Sequence, residues 1–241
     1  MPPEPRAARK GQTDPAQRDR RNSPTAKAAV EPQAKTQSQS GAKKAASKKA
    51  SSANLVPALL VPNGPIALVG LMGVGKTTVG RRLAKELGRP FYDSDDEIEK
   101  ASGRTVAGYF RDHGEDEFRA GERRVIDRLL DGSDIILATG GGAFIQDGAR
   151  DILQDRALTI FLKGDFETIF ARVRKKDTRP LLKVPNPRET FEALYKERYP
   201  IYEQAHIVVN IAKGPHDRTV QRVAKAIDHY VKSQNAKARV L

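Results

Sequence analysis

The stretch PIALVGLMGVGKTT, residues 65–78, joins an apolar run to a loop that contains three glycines, a lysine and two threonines. Its spacing Gly70-x-x-x-x-Gly75-Lys76-Thr77 is a complete P-loop pattern. Glycines let successive backbone N–H groups turn inward around a phosphate, and the N-terminus of the following helix adds positive charge. The pattern predicts a strand, a loop that binds a nucleoside triphosphate and a helix, rather than a glycine-rich turn that binds nothing.

Two side chains of this loop have expected roles in phosphate chemistry. Lys76 would reach the β- and γ-phosphates, and the hydroxyl of Thr77 would ligate Mg²⁺. The loop residues expected to contact ATP are Gly73, Val74, Gly75, Lys76, Thr77 and Thr78.

Short apolar runs alternate with helical patterns over residues 64–233. This alternation predicts one α/β domain of the P-loop type, with three α/β/α layers and a five-stranded parallel sheet. The stretch KKDTRPLLKVPNP, residues 175–187, contains three prolines and is predicted to be a mobile basic loop. We expect the helix that follows to be interrupted at Pro200. Beyond the domain, residues 234–241 are expected to form a short tail.

The N-terminal part differs in composition from the rest of the chain. Residues 1–54 contain no aromatic side chain and carry 12 Lys and Arg against 4 Asp and Glu, so they supply +8 of the net charge of +13. Such a segment cannot bury enough apolar surface to fold, which predicts a disordered tail, joined by a linker at residues 55–63. We interpret it as a solubilising extension that binds nucleic acid only weakly.

Composition also excludes several classes of protein. The chain has no cysteine, which excludes disulfides, thiolate nucleophiles and cysteine-based zinc sites and fits a reducing cytoplasm. The apolar segment at residues 55–72 is broken by prolines, so it does not read as a membrane span. We expect a cytoplasmic monomer without a membrane partner.

Two carboxylates follow the second predicted strand, in the sequence Asp93-Ser94-Asp95. Ligands bind at the carboxyl edge of such sheets, where one carboxylate could serve Mg²⁺ through water and the other could accept a hydrogen bond from an acceptor hydroxyl. The alternative interpretation is a pair of solvated acids that cap the next helix. A GTPase is disfavoured, because the chain has no N-K-x-D guanine-recognition motif.

From Pro65 to about Lys232 the chain resembles the shikimate kinases. Six separated motifs carry this resemblance in order: GLMGVGKTTVGRRLA, FYDSD, GEDEFRAGE, ATGGG, TRPLL and RYPIYEQA. The resemblance implies transfer of the γ-phosphoryl group of ATP to the 3-hydroxyl of shikimate, with Mg²⁺, in aromatic amino-acid biosynthesis. One departure is Gly108, which predicts a looser helix around Tyr109 and Phe110.

The resemblance implies a role for each matching residue on the acceptor side. Arg119 and Arg198 would clamp the shikimate carboxylate, and Glu122 would orient Arg119 from one helical turn away. Taken alone, Arg119 could instead be a surface ion pair with Glu115 or Glu122. Asp95 would position or deprotonate the attacking hydroxyl, and Asp93 would face Mg²⁺ through water. The backbone expected to contact the substrate hydroxyls is that of Gly140, Gly141 and Gly142.

On the nucleotide side, the resemblance makes the basic loop a lid. Arg179 of TRPLL would then contact ATP and stabilise the transferring phosphoryl group together with Lys76. Arg172, or the loop at Pro215, would contact adenine.

Two rival functions remain open at this point. A kinase of the same fold could act on another small hydroxy acid such as gluconate, because two arginines favour a carboxylate without naming it. A regulatory module could bind nucleotide passively and use its basic tail for nucleic acid, although Lys76, Asp95, Arg119 and Arg179 are all present.

Overall fold

The computed structural model describes residues 59–132, 134–175, 184–211 and 214–239. The predicted disordered tail and the lid arginine Arg179 lie outside these residues.

Five parallel strands form a single sheet in the order β2-β3-β1-β4-β5. The strands are β1 (Ile66–Val69), β2 (Phe91–Asp93), β3 (Ile136–Ala138), β4 (Leu158–Lys163) and β5 (Ile207–Asn210). In the register of the central strands, Ile66 pairs with Ile136 on one side and with Leu158 on the other. Every residue of β1 and β3 is buried, so both faces of the central sheet are covered. The predicted five-stranded parallel sheet is confirmed.

Helices connect the strands and supply the outer layers of the fold. They are α1 (Lys76–Leu87), α2 (Ser94–Ser102), α3 (Val106–Leu129), α4 (Asp147–Arg156), α5 (Phe166–Arg174), α6 (Pro187–Tyr202) and α7 (His216–Ala238), with a 3₁₀ turn at Ala143–Ile145. Helix α1 packs against α7, α2 against α3, and α5 against α6. The sheet thus lies between helices, as the predicted three-layer arrangement requires.

Two helix ends carry residues that commonly cap helices. Gly88 ends α1 in the left-handed region at φ 65°, and its N–H bonds to Ala84 O. The side chain of Asp165 caps α5 by accepting a hydrogen bond from Thr168 N at 2.9 Å.

Two expectations about helices were wrong. Pro200 does not interrupt α6, which continues to Tyr202. Pro200 lies in the last turn, where its missing N–H removes a single bond, and buried Tyr199 and Tyr202 hold this turn against the core. Helix α7 extends to Ala238, so it includes most of the expected C-terminal tail.

Helix α3 is regular at Gly108, where a looser helix was expected, and its irregularity lies at another glycine. Gly108 lies in the first turn of α3, and its N–H donates to Oγ1 of the capping residue Thr105 at 3.1 Å. The helix is broken instead at Gly114, where φ is 81° and ψ is 176°. This conformation belongs to a region that glycine alone adopts readily, so a glycine at this position permits the break.

Candidate active site

The P-loop lies between β1 and α1, with its lysine turned back onto the loop. Lys76 Nζ donates to Gly70 O at 2.6 Å and to Leu71 O at 3.2 Å. Gly73 cannot be replaced without overlap, because a Cβ there would lie 2.4 Å from Cγ2 of Val173. Gly73 also has a positive φ of 85°. The loop therefore requires glycine for both its conformation and its packing against α5.

The two predicted magnesium residues are in contact. Thr77 Oγ1 donates to Asp93 Oδ2 at 2.7 Å, and Asp93 Oδ1 accepts a hydrogen bond from Asp95 N at 3.2 Å. A hydroxyl and a carboxylate are hard oxygen donors of the kind that Mg²⁺ prefers, and they lie beside the P-loop lysine. These residues fit a magnesium ion that is completed by water and nucleotide phosphate. Asp93 also caps α2, as the alternative interpretation of the acidic pair expected.

A cavity of about 540 Å³ extends from the P-loop to the acidic pair. Most predicted nucleotide residues line it, together with Asp95 and Gly141. The lining residues are Met72, Gly73, Gly75, Lys76, Thr77, Thr78, Asp93, Asp95, Thr139, Gly141, Arg172, Val173, Lys175 and His216. One continuous space thus joins a nucleotide end and an acceptor end.

Two predicted nucleotide contacts, Val74 and Pro215, are not among the residues that line the cavity. Val74 is buried, and its carbonyl accepts a hydrogen bond from Arg172 NH1 at 3.4 Å. Pro215 precedes α7, but the residue that lines the cavity is the next one, His216, whose ring packs against Gly75. Sequence reasoning reached this loop and missed His216, because the contact depends on how α7 packs against α1.

Asp95 and Glu122 approach the glycine run from two helices. A Cβ on Gly140 would lie 2.6 Å from Asp95 Oδ1 and 2.7 Å from Glu122 Oε1, so only glycine leaves room for both carboxylates. Burial raises the pKa of Asp95, and the neighbouring Asp93 raises it further. Burial also raises the pKa of Glu122, although Arg119 opposes this shift. The acceptor end therefore holds two desolvated carboxyl groups.

Arg119 is fixed by two acidic residues on its own helix. Its NH1 donates to Glu122 Oε2 at 2.9 Å, and its NH2 donates to Glu115 Oε1 at 2.9 Å. The guanidinium also packs on the glycine run, since a Cβ on Gly142 would lie 2.6 Å from NH1. The structure thus contains the expected pairing with Glu122 and the surface pairing with Glu115 together. The ion pairs hold Arg119 beside the glycines, where a carboxylate ligand could reach it.

Arg198 reaches the same glycines from α6. Its NH1 lies 3.5 Å from Gly141 O, and its Nε is buried without a hydrogen-bond partner among the described residues. A buried guanidinium nitrogen without an acceptor is costly, and a ligand carboxylate would supply one. The Oη of Tyr202, one turn further along α6, donates to Gly141 O. Burial raises the pKa of Tyr202 to about 12, so its hydroxyl remains protonated and available to donate.

Ser94 is a second contact that sequence reasoning missed. It lies between the two aspartates, is fully buried, and its Oγ accepts a hydrogen bond from Gly140 N at 2.8 Å. Its position inside the Asp93-Ser94-Asp95 motif was the available signal.

Within the described ranges, no group of three or more His, Cys, Asp or Glu side chains is arranged to hold a metal ion. Among those same residues, none of the helices combines the length and apolarity that crossing a bilayer requires.

Comparisons of the sequence and the structure with known proteins identify the family of this chain. A family model described as shikimate kinase matches residues 72–228. A shikimate kinase from Rhodopseudomonas palustris is 44% identical over 187 residues, which cover 78% of this chain and 91% of the relative. One from Cereibacter sphaeroides is 46% identical over 67% of this chain and 81% of its own length. A solved structure of shikimate kinase from Acinetobacter baumannii in complex with shikimate has a TM-score of 0.65 and 40% identity, and covers 68% of this chain and 93% of that chain. This chain belongs to the shikimate kinase family.

Proposed function

We propose that this protein transfers the γ-phosphoryl group of ATP to the 3-hydroxyl of shikimate. The observation that carries this proposal is the cavity that joins Lys76 of the P-loop to Asp95, a partly buried carboxylate beside the glycine run. Two arginines, Arg119 and Arg198, also contact that run. The arginines and Asp95 at the acceptor end complement a small acid with ring hydroxyls. The P-loop at the nucleotide end complements a triphosphate.

Each group at the acceptor end has a task that its contacts support. Arg198 has a buried Nε to offer to a carboxylate, and Arg119 is held in place by Glu115 and Glu122. Asp95 would accept a hydrogen bond from the 3-hydroxyl and orient or deprotonate it. Its raised pKa makes its carboxylate a stronger acceptor than a solvated one.

At the nucleotide end, the residues act mainly by position and charge. Lys76 would exchange its carbonyl partners in the loop for phosphate oxygens. Thr77 and Asp93, the latter through water, would hold Mg²⁺, which when bound neutralises charge on the phosphates. Arg172 lies along this part of the cavity, and Pro215 introduces the helix that contributes His216. Arg179 would approach ATP from the lid.

A coupled assay of ADP release tests the proposal. The purified full chain with Mg-ATP would be given shikimate or gluconate in parallel, and the phosphorylated carbon of the product would be assigned by NMR. We expect turnover with shikimate, a phosphate on its 3-oxygen, and little turnover with gluconate. Equal or faster turnover with gluconate, or ATP binding without turnover on either acid, would contradict the proposal.

A further inference from the structure

Two buried hydroxyls from distant parts of the chain hold the backbone of the glycine run. Ser94 Oγ accepts a hydrogen bond from Gly140 N at 2.8 Å. Tyr202 Oη donates to the carbonyl oxygen of Gly141. Both Ser94 and Tyr202 are fully buried, so water does not compete for either bond. The phosphoryl transfer proposed above uses neither hydroxyl.

These bonds set the direction in which the glycine amides point. A trans peptide is planar, so its C=O and N–H groups point in opposite directions. Tyr202 draws Gly141 O toward α6, and the N–H of Gly142, on the same peptide plane, must therefore point away from α6. Glycines bring no side chains that could hold them, and their backbone is the most adaptable in the chain. The orientation of these amides consequently depends on external partners.

The two anchors are rigid and belong to the helices that carry the binding groups. The ring of Tyr202 stacks on Phe161 at a centroid distance of 5.3 Å and an interplanar angle of 26°. Tyr202 lies one turn after Arg198 in α6, and Ser94 directly precedes Asp95 in α2. The glycine backbone is thereby tied to the same two helices that present Arg198 and Asp95.

We propose that Ser94 and Tyr202 are positioning residues that align the glycine backbone with the hydroxyls of the acceptor. This inference rests on the proposed function. Loss of either hydroxyl should weaken acceptor binding and leave ATP binding intact, because the hydrogen bonds described for these hydroxyls go to the glycine run and not to the P-loop.

Tyr202→Phe removes one oxygen and keeps the ring, and Tyr199→Phe is its matched control. Tyr199 is also buried in α6, and its Oη accepts a hydrogen bond from Gly164 N at 3.1 Å, beyond β4 and away from the glycine run. In steady-state kinetics, we expect Tyr202→Phe to raise the KM for shikimate about five- to tenfold, the effect of one buried hydrogen bond. The KM for ATP should stay within about twofold. Tyr199→Phe should leave both KM values near those of the wild type.

Ser94→Ala provides a second test, with Thr159→Val as its control. Thr159 is fully buried in β4, and its Oγ1 accepts a hydrogen bond from His206 N at 3.0 Å. Thr159→Val therefore removes the same kind of buried hydroxyl as Ser94→Ala, but away from the glycine run. We expect Ser94→Ala alone to raise the KM for shikimate.

The outcomes separate this inference from the function on which it rests. If the wild type does not turn over shikimate, the proposed function fails and this inference fails with it. If the wild type is active but Tyr202→Phe and Ser94→Ala lower only the melting temperature, as their controls do, then the positioning role alone is overturned.

Discussion

The phosphate-binding loop of the nucleotide end comes from consecutive residues, Gly70 to Thr78, whereas the acceptor end is assembled from four segments between Ser94 and Tyr202. The first is a backbone loop with one lysine, held by local hydrogen bonds. The second depends on contacts such as that of Ser94 with Gly140, 46 residues apart, and that of Tyr202 with Gly141, 61 residues apart. Phosphate binding is therefore a local property of this chain, and acceptor recognition is a property of the whole fold.

The charged groups differ between the two ends in the same way. At the nucleotide end, Lys76 lies against neutral carbonyls that a phosphate can replace. At the acceptor end, the buried Glu122 and the partly buried Asp95 lie close to one another around Gly140. Desolvated carboxyl groups cost stability, and that cost is expected where function requires them. The variants below change one end at a time.

The largest expected effect is at Asp95. Asp95→Asn should lower kcat about 10²–10⁴-fold, because it removes the acceptor of the attacking hydroxyl's proton. The same change should raise the melting temperature. Burial raises the pKa of Asp95 in the folded state, so its ionised form destabilises the fold at neutral pH, and asparagine removes that penalty. Full kcat in Asp95→Asn, or a melting temperature below that of the wild type, would contradict these roles of Asp95.

Arg198→Met tests the acceptor clamp. We expect the KM for shikimate to rise by roughly 10- to 100-fold and the KM for ATP to be unchanged, because the substrate carboxylate loses a charge-assisted hydrogen bond. Arg188→Met is the control, since Arg188 lies on the same helix and forms an exposed pair with Glu167. Equal changes in the two variants would show that α6, rather than the guanidinium of Arg198, is responsible.

Gly73→Ala acts on the nucleotide end instead. The added Cβ combines a positive φ of 85° with an overlap against Val173, so the KM for ATP should rise about tenfold through strain of about 1–2 kcal/mol. Gly88→Ala has a similar φ of 65° but open space around the Cβ, and it lies at the far end of α1. It should cost stability without changing the KM for ATP. A selective rise in the KM for shikimate in Gly73→Ala would show that the two ends are not separable.

Gly114→Ala tests the break in the helix that carries Arg119. At φ 81° and ψ 176°, alanine should cost about 1–3 kcal/mol of folding free energy, measured by denaturant unfolding. Gly121→Ala is the control, for which we expect a change in folding free energy of the opposite sign. Gly121 lies within helical turns of α3, and its Cβ would have an ordinary contact of 3.7 Å with Tyr109 Oη, so alanine should stabilise by about 1 kcal/mol. Stabilisation by both changes would mean that α3 is continuous in solution.

The last prediction concerns the fall of activity at acid pH, which has the smallest effect at neutral pH. Because the folded-state pKa of Asp95 lies above its ordinary value of 3.8, kcat/KM for shikimate should fall as the pH drops through that raised value. The stability difference between wild type and Asp95→Asn should shrink over the same descent, as Asp95 becomes protonated. Activity that stays level down to the ordinary range of a carboxylate would exclude Asp95 as the group that must be ionised.

The strands and the P-loop could be predicted because each depends on neighbouring residues. The apolar run before Gly70 and the glycine spacing suffice to predict β1, the loop and α1. The break at Gly114 could not be located, because several glycines occur in that segment and the residue type alone does not distinguish them. Ser94 and Tyr202 escaped prediction for a related reason: a hydroxyl in a motif gives no sign of the distant backbone group that it will meet.

The most direct test of the account compares shikimate with its methyl ester as acceptors for the wild type and for Arg198→Met. The ester keeps every ring hydroxyl and replaces the negative carboxylate by a neutral group that is larger by one methyl. We expect kcat/KM of the wild type to fall about 10- to 100-fold for the ester, and this ratio to shrink in Arg198→Met, because the carboxylate charge and the guanidinium are partners. Equal kcat/KM values for acid and ester in the wild type would contradict a carboxylate clamp at the acceptor end.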